Sequence, residues 1–245
     1  AAEKQDPACL LLPRYWVEED EVEQSLKDWD PKWVLLMRRF GRSTDERTII
    51  STVAPTYGYG DNATVLRSRI VASDLIAMLL SCLDSLVFDY FSRQSVGGMM
   101  INQFIVKQLP VLPPSAYGPA ERAFIVPRAL ELTYTAWDLA AFGQEVSGAA
   151  APPFRWDDAR RFQLRAELDA LFFHLYGLAR DDVEYIMGTF PIVERNDVAA
   201  YGCYRTKEAI LAVYDRLAAL NGRWEAYASP LDPPPGDDRQ RHQAR

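Results

Sequence analysis

Histidine and cysteine are nearly missing from this sequence. Of 245 residues, only His174 and His242 are histidine and only Cys9, Cys82 and Cys203 are cysteine. Neither histidine has a metal-ligand companion at a useful spacing. The cysteines form no CxxC pair, and an odd number with Cys82 inside an apolar segment reads as reduced and cytoplasmic. An uninterrupted run of roughly 18 apolar residues, the length a membrane span needs, is also lacking. Asp74, Asp84 and Asp89 punctuate the best candidate. The opening AAEKQDPACLLLPRYW lacks a signal peptide's basic end and unbroken apolar region. Its want of an initiator Met fits a piece of a longer protein and a trimmed chain equally well. There is no internal period, which excludes tandem copies of one fold. GxSxG, P-loop and HExxH patterns are absent. The glycine turns Tyr57-Gly58-Tyr59-Gly60 and Val96-Gly97-Gly98 lack the dinucleotide fingerprint. The acid pairs Asp157/Asp158 and Asp181/Asp182 fall at expected helix starts, where carboxylates favour the positive end of the dipole. No catalytic residue, metal ligand set or cofactor-binding residue emerges.

What is present supports a proper core. The chain is 49% hydrophobic and 25% charged, enough for one large domain or two small ones. The net charge of -7 argues against unspecific nucleic-acid binding over the whole surface. That charge is unevenly placed. Residues 1–30 carry nine acids against three bases, residues 31–110 nine bases against six acids, and the remainder is acidic again. A phosphate-facing surface therefore belongs in the middle third.

The expected class is α+β: a mixed core followed by a helix-rich subdomain. Residues 1–30 hold the block EEDEVEQSLKDWD, either a short surface helix or a solvated linker. Within 31–115, the apolar run KWVLLMRRF and the β-branched run TIISTVA read as strands, and VLRSRIV as a third strand or the approach to a helix. From Ser73 to Ser92 the apolar positions recur at three- and four-residue spacing and predict one long helix. Ile101–Val106 is β-capable, and the prolines at 110, 113 and 114 enforce extended chain. Residues 116–222 predict a helix opening at Val126-Pro127, a well-marked one from Trp156 to Gly177, and two more over 180–187 and 206–220. The last residues, 223–245, with SPLDPPPGDDRQRHQAR, predict a disordered tail.

The remaining side-chain pattern suits DNA. Arg38, Arg39 and Arg42 cluster beyond a strand, and Arg67 and Arg69 share a face if their segment is extended. Arg93 and Lys107 flank the second glycine turn and the pair Asn102-Gln103. Arginine supplies a fork for guanine or phosphate, and an amide side chain matches adenine's edge. Tyr57 and Tyr59 sit on a glycine loop from which they could stack or wedge against bases. Arg205 and Lys207 lie at a helix start, where backbone amides also meet phosphate. Ordinary surface arginines and turn tyrosines would give the same pattern.

An ordered series of short stretches adds a family resemblance. It comprises Ser43-Thr44-Asp45-Glu46-Arg47-Thr48, then Leu79-Leu80-Ser81-Cys82-Leu83, Phe88-Asp89-Tyr90 and Arg93-Gln94. Asn102-Gln103-Phe104-Ile105-Val106-Lys107-Gln108-Leu109-Pro110 comes next, followed by Phe154-Arg155-Trp156 and Arg165-Ala166-Glu167-Leu168-Asp169-Ala170. Leu175-Tyr176-Gly177-Leu178, Phe190-Pro191 and Tyr204-Arg205-Thr206-Lys207 complete it. Over roughly residues 32–218 the chain resembles the C-terminal target-recognition region of TaqI-like adenine DNA methyltransferases, especially the large fused restriction–modification and phage-defence enzymes. The resemblance implies double-stranded DNA as partner. It also implies a covalent or associated N-terminal domain that binds S-adenosylmethionine and holds the flipped adenine in an NPPY-type motif. Asn102 is followed by Gln-Phe, and Pro113-Pro114 do not follow an Asn, so that motif is absent from this chain. Alone, the chain is expected to be inert. The acidic front and helical second half fit an alternative class, a non-catalytic protein–protein docking module of a multisubunit defence or modification complex.

Overall fold

The computed structural model describes residues 2–10, 16–67 and 72–243. Helices α1 (Ala2–Gln5) and α2 (Glu19–Ser25) lie at the surface. Glu19, Asp20 and Glu21 open α2, where the helix dipole favours carboxylates, so the acidic block is a helix that buries nothing. Three strands follow: β1 (Trp33–Arg38), β2 (Ser51–Pro55) and β3 (Ala63–Leu66). They form one antiparallel sheet in the order β2-β1-β3. Leu36 stands opposite Thr52 on one side and Val65 on the other. The central strand is buried on both faces, with Trp33, Leu35 and Met37 alternating with Val34 and Leu36. A continuous apolar run rather than an alternating one is what such a strand requires.

The stretch expected as one helix is two. α3 (Ser73–Leu83) and α4 (Leu86–Ser95) meet at a bend of 62°. The run breaks at Asp84-Ser85 because side chains there satisfy backbone groups that a continuous helix would pair internally. Ser85 Oγ caps α4 by accepting the Phe88 N–H at 3.3 Å, and Asp169 Oδ1 accepts the Leu86 N–H at 2.7 Å. Apolar spacing carries through the break, so periodicity alone does not reveal it. Among the described residues no single helix is long and apolar enough to cross a membrane.

Ile101–Val106 also departs from expectation. Ile101 alone continues extended, donating its N–H to the Arg39 carbonyl at 2.8 Å. Asn102 then accepts the N–H groups of Ile105 and Val106 and turns the chain into α5 (Gln103–Val106). Further on, α6 (Pro119–Thr133) begins seven residues before the expected point and holds Pro127 in its interior. Pro119 in its first turn and Glu121, which accepts the Gly118 N–H at 2.8 Å, mark the true start. α7 (Ala140–Ser147) is separated from α6 by an irregular segment around Tyr134, whose ring lies where a side chain on Gly143 would be. α8 (Asp158–Leu175) is capped by Asp157, and Gly177 follows it with φ +69, as expected. α9 (Arg180–Gly188), α10 (Pro191–Tyr201) and α11 (Arg205–Ala218) complete the set.

Helix accounts for 53% of the described residues, beside one small sheet, which makes the fold α+β. One apolar cluster joins the sheet to the helices on both sides of the expected subdomain boundary at 115/116. α3 packs on α6 and α7, and α4 packs on α8 and α9.

The terminal segment expected to be disordered is folded as far as residue 243. Arg160 donates to the Pro233 and Pro234 carbonyls at 2.6 and 3.0 Å, and Glu131 Oε2 accepts the Gly236 N–H at 2.9 Å. Ser229 Oγ donates to Glu167 at 2.7 Å, and Phe154 bridges Arg241. Proline-rich composition predicts disorder because it offers little to bury. Here the anchors are buried charges on α6 and α8, which composition does not reveal.

Candidate nucleic-acid interface

β1, the Tyr57–Asn62 turn and the chain leading into α5 converge on one open cleft of about 860 Å³. The pairing of Ile101 with Arg39, and of Met100 with Phe40, holds α5 beside the outer end of the sheet. Five of the expected residues line this cleft: Arg39, Tyr59, Asn102, Gln103 and Lys107. Gln103 and Lys107 are exposed one helical turn apart, while Asn102 is half-buried at the turn into α5. Arg39 pairs with Asp61, which is 75% exposed. An ion pair that open to solvent holds little energy, so the guanidinium can exchange its partner at small cost. Tyr59 donates its hydroxyl to the Pro55 carbonyl at 2.6 Å, and burial pushes the phenol up to about 12. Its ring is therefore a fixed neutral wall.

Other expected residues surround the cleft without lining it. Arg42 is exposed, with its guanidinium donating to Met99 Sδ at 2.8 Å. Tyr57 is exposed on the rim turn, and Arg67 is exposed just past β3. Arg69 lies outside the described residues.

Four residues are engaged by partners outside the cleft, Arg38 and Arg93 at the interior and Arg205 and Lys207 nearer the surface. Arg38 turns inward, donating to the carbonyls of Arg47 and Thr48 and lying 3.7 Å from Asp45. Arg93 is engaged more completely. Its Nε donates to Asp89 at 3.0 Å, its Nη2 donates to the carbonyls of Asp45 and Glu46 at 2.8 and 2.7 Å, and it stacks on Phe190. Asp89 also accepts the N–H groups of Thr48 and Ile49 at 2.8 and 2.7 Å. Arg93 and Asp89 thus fix the loop that carries Arg42. Arg205 lies over Phe162 and Tyr201, and Lys207 pairs with Glu184 at 3.2 Å. The start of α11 is filled by Asp197, which accepts the Thr206 N–H at 2.6 Å, where a phosphate would otherwise sit.

Sequence reasoning passed over six residues of the cleft, Asp61 and Phe104 among them. Asp61 is the counter-ion of Arg39, a pairing across 22 positions that no local pattern shows. Phe104 is 62% exposed although Ile105 and Val106 beside it pack on the core. Periodicity gave no signal for it, because on a helical wheel Phe104 lies as far from Gln103 as from Ile105.

The two glycine turns do not form phosphate cradles of the nucleotide-binding kind. Residues 57–60 lead into β3 and residues 97–98 into the Met100 bridge, not into a helix start. Among the described residues no group of three or more His, Cys, Asp or Glu is placed to hold a metal. His174 stacks on Tyr214 with ring centroids 3.9 Å apart, and burial lowers its pKa. Set against models of known protein families, against functionally described proteins and against solved structures, the chain matches none.

Proposed function

We propose that this chain is a DNA target-recognition module of a cytoplasmic adenine-specific methyltransferase or restriction–modification enzyme. It would grip duplex DNA and position the target adenine for a catalytic domain outside this chain. The observation that carries the reading is the cleft. Residues separated by up to 68 positions, Arg39 and Lys107 at the extremes, are brought onto one solvent-facing surface with two side-chain amides between them. Cations position a phosphate backbone and amides read base edges, so the cleft offers both kinds of contact. S-adenosylmethionine and the methyl transfer belong to the other domain, and no residue of this cleft is assigned to either.

Salt-dependent duplex binding by the intact chain tests the reading. Arg39→Ala/Lys107→Ala should weaken binding uniformly across sequences and reduce the slope of log affinity against log salt by about 2, near 0.9 for each phosphate left without its cation. Gln103→Ala should instead reduce discrimination at one base pair with little change in slope. Binding and slope unaffected by the double substitution would overturn the assignment.

A second reading has its own observation. Phe40, Met99, Met100 and Phe104 leave an apolar rim around the cleft, 37 to 62% exposed. That rim suits a protein partner in a multisubunit defence or modification complex. It predicts partner binding that survives high salt, with no salt-dependent affinity for duplex DNA.

A further inference from the structure

The acidic segment at the front of the chain is short of contacts. Trp16 is 74% exposed, although tryptophan has more apolar surface to bury than any other side chain, and Val17 beside it is exposed as well. Glu18, Glu19, Asp20, Glu21 and Glu23 follow, and α2 buries none of its seven residues. Among the described residues none of these carboxylates pairs with a cation. Glu19 and Glu23 stand one turn apart with like charge, and Glu18 at the start makes no side-chain cap. So short a helix gains little from its own sequence and is stabilised by whatever covers it.

The surface around the cleft offers the complement. Its exposed apolar side chains Phe40, Met99, Met100 and Phe104 stand among the cations Arg39, Arg42 and Lys107. The two surfaces are also neighbours. Val17 and Val22 lie against Gly58, with Val17 so close that a side chain on Gly58 would overlap it, while Tyr59 and Gly60 of the same turn line the cleft. Seated there, the acidic segment borders its own cleft without engaging it.

We infer that this face joins two copies of the chain, the segment 16–25 of each docked on the cleft of the other. Trp16 and Val17 cover the apolar rim, and the α2 carboxylates face Arg39, Arg42 and Lys107. Because both surfaces flank one turn, a two-fold axis beside Tyr57 forms both contacts at once and closes the assembly as a dimer. A second copy is favoured over an unrelated acidic partner because the reciprocal arrangement covers both unpartnered surfaces in a single interface. The pairing does not depend on the DNA reading. Resting on that reading, it adds a regulation: the dimer masks the cations that meet phosphate, so self-association and duplex binding compete.

The molar mass of the intact chain, followed against concentration by light scattering, tests the pairing. At low salt it should rise from monomer to dimer and no further, and added salt should favour the monomer. Arg39→Glu/Lys107→Glu should weaken dimerisation by roughly tenfold or more, and so should Glu19→Lys/Glu23→Lys, since each sets like charges against one another. Mixed together, these two variants should recover a heterodimer, because both contacts again join opposite charges, a recovery that misfolded chains would not give. Trp16→Ala should weaken the dimer by about tenfold while leaving its salt dependence in place. A monomer mass up to ~0.1 mM chain, association that continues past the dimer, or failure of the mixed variants to pair overturns this inference and leaves the DNA reading standing. Added duplex should release monomer. Duplex that binds while the dimer persists overturns the shared surface, and absence of duplex binding by the dissociated monomer overturns the DNA reading alone.

Discussion

Two regions of this molecule are built around arginine, and they use it in opposite ways. Between α6, α8 and the terminal segment, Arg128 and Arg160 are buried against Glu167 and Glu131. Around the cleft, Arg39, Arg42 and Lys107 are held loosely or not at all by acidic partners. The number of charges does not separate the two. What separates them is the counter-ion: a buried carboxylate with further hydrogen bonds fixes the guanidinium, and an exposed one leaves it available. An arginine of the first kind should matter to stability, and one of the second kind to binding.

The sharpest way to break that contrast is to remove an anchor. Glu131 receives two guanidinium hydrogen bonds from Arg160 and the Gly236 N–H. Glu131→Ala leaves Arg160 charged and buried without its partner, which should cost about 3–5 kcal/mol. The denaturant midpoint should fall accordingly, and residues beyond 222 should become protease-sensitive. Adding Arg160→Met should restore part of the stability, because the uncompensated charge is then gone. No change in midpoint would mean that the terminal segment is not clamped by this pair.

Arg93 is buried like the first kind but holds a loop near the cleft, and it should show effects of both kinds. Although it was expected at the DNA surface, only 9% of its side chain is exposed, and Asp89 is wholly buried. Arg93→Ala should destabilise by about 3 kcal/mol, the low end for breaking a buried pair by removing one partner. It should also weaken DNA binding by loosening the loop that carries Arg42. The salt slope, measured where the variant is still folded, should not change. A reduced slope would show that Arg93 meets phosphate directly.

A smaller effect comes from the carboxylates behind that loop. Asp169 is buried, and Asp84 keeps its carboxylate inside, with Oδ1 accepting the Ser51 N–H at 2.8 Å. Burial pushes Asp84 up to about 7 and Asp169 up to about 6, with Arg47 only partly offsetting it. An unfolded aspartate titrates near ~3.9, so between roughly pH 4 and 7 the folded chain binds more protons than the unfolded one. These two groups therefore favour the fold fully below that window, and the contribution is lost as pH rises through it. Thermal melting from pH 5 to 8 should show the decline, and Asp84→Asn should flatten it. A melting temperature that rises over this range in the parent chain, with no change of slope in Asp84→Asn, would contradict the assignment.

Much of this framework was legible in the sequence, for a consistent physical reason. Wherever local periodicity and end signals decide the outcome, as in β1 or in α8 with Asp157 before it and Gly177 after it, reading and structure agree. Where a distant polar partner decides, they part. The break at Asp84-Ser85 is set partly by Asp169, the folded terminal segment by Glu131 and Glu167, and the inward turn of Arg93 by Asp89 and two loop carbonyls. The cleft shows the same division between local and distant signals. Its location in the basic middle third and the cleft residues Asn102, Gln103 and Lys107 were within reach of composition and spacing. Which of the arginines are already engaged was not, because counter-ions such as Asp61 are neighbours in space and not in sequence.

The smallest predicted effect isolates the other half of the contrast. Arg42 is exposed and held by a thioether, a weak acceptor, with no carboxylate on its guanidinium. Arg42→Ala should therefore leave stability unchanged within ~0.5 kcal/mol, as at other open surface positions. Its effect should appear only in DNA binding, as a several-fold weakening with a slope change of about 0.9, the signature of one phosphate neutralised. Lys should substitute well if Arg42 meets phosphate, since a point charge suffices, and poorly if it reads guanine through its fork. Set beside Arg93, the comparison becomes quantitative: two arginines on either side of one loop, one expected to move the melting curve and the other only the binding isotherm. If Arg42→Ala instead lowers stability as much as Arg93→Ala does, exposure and counter-ion are the wrong criteria for telling a binding arginine from a structural one in this fold.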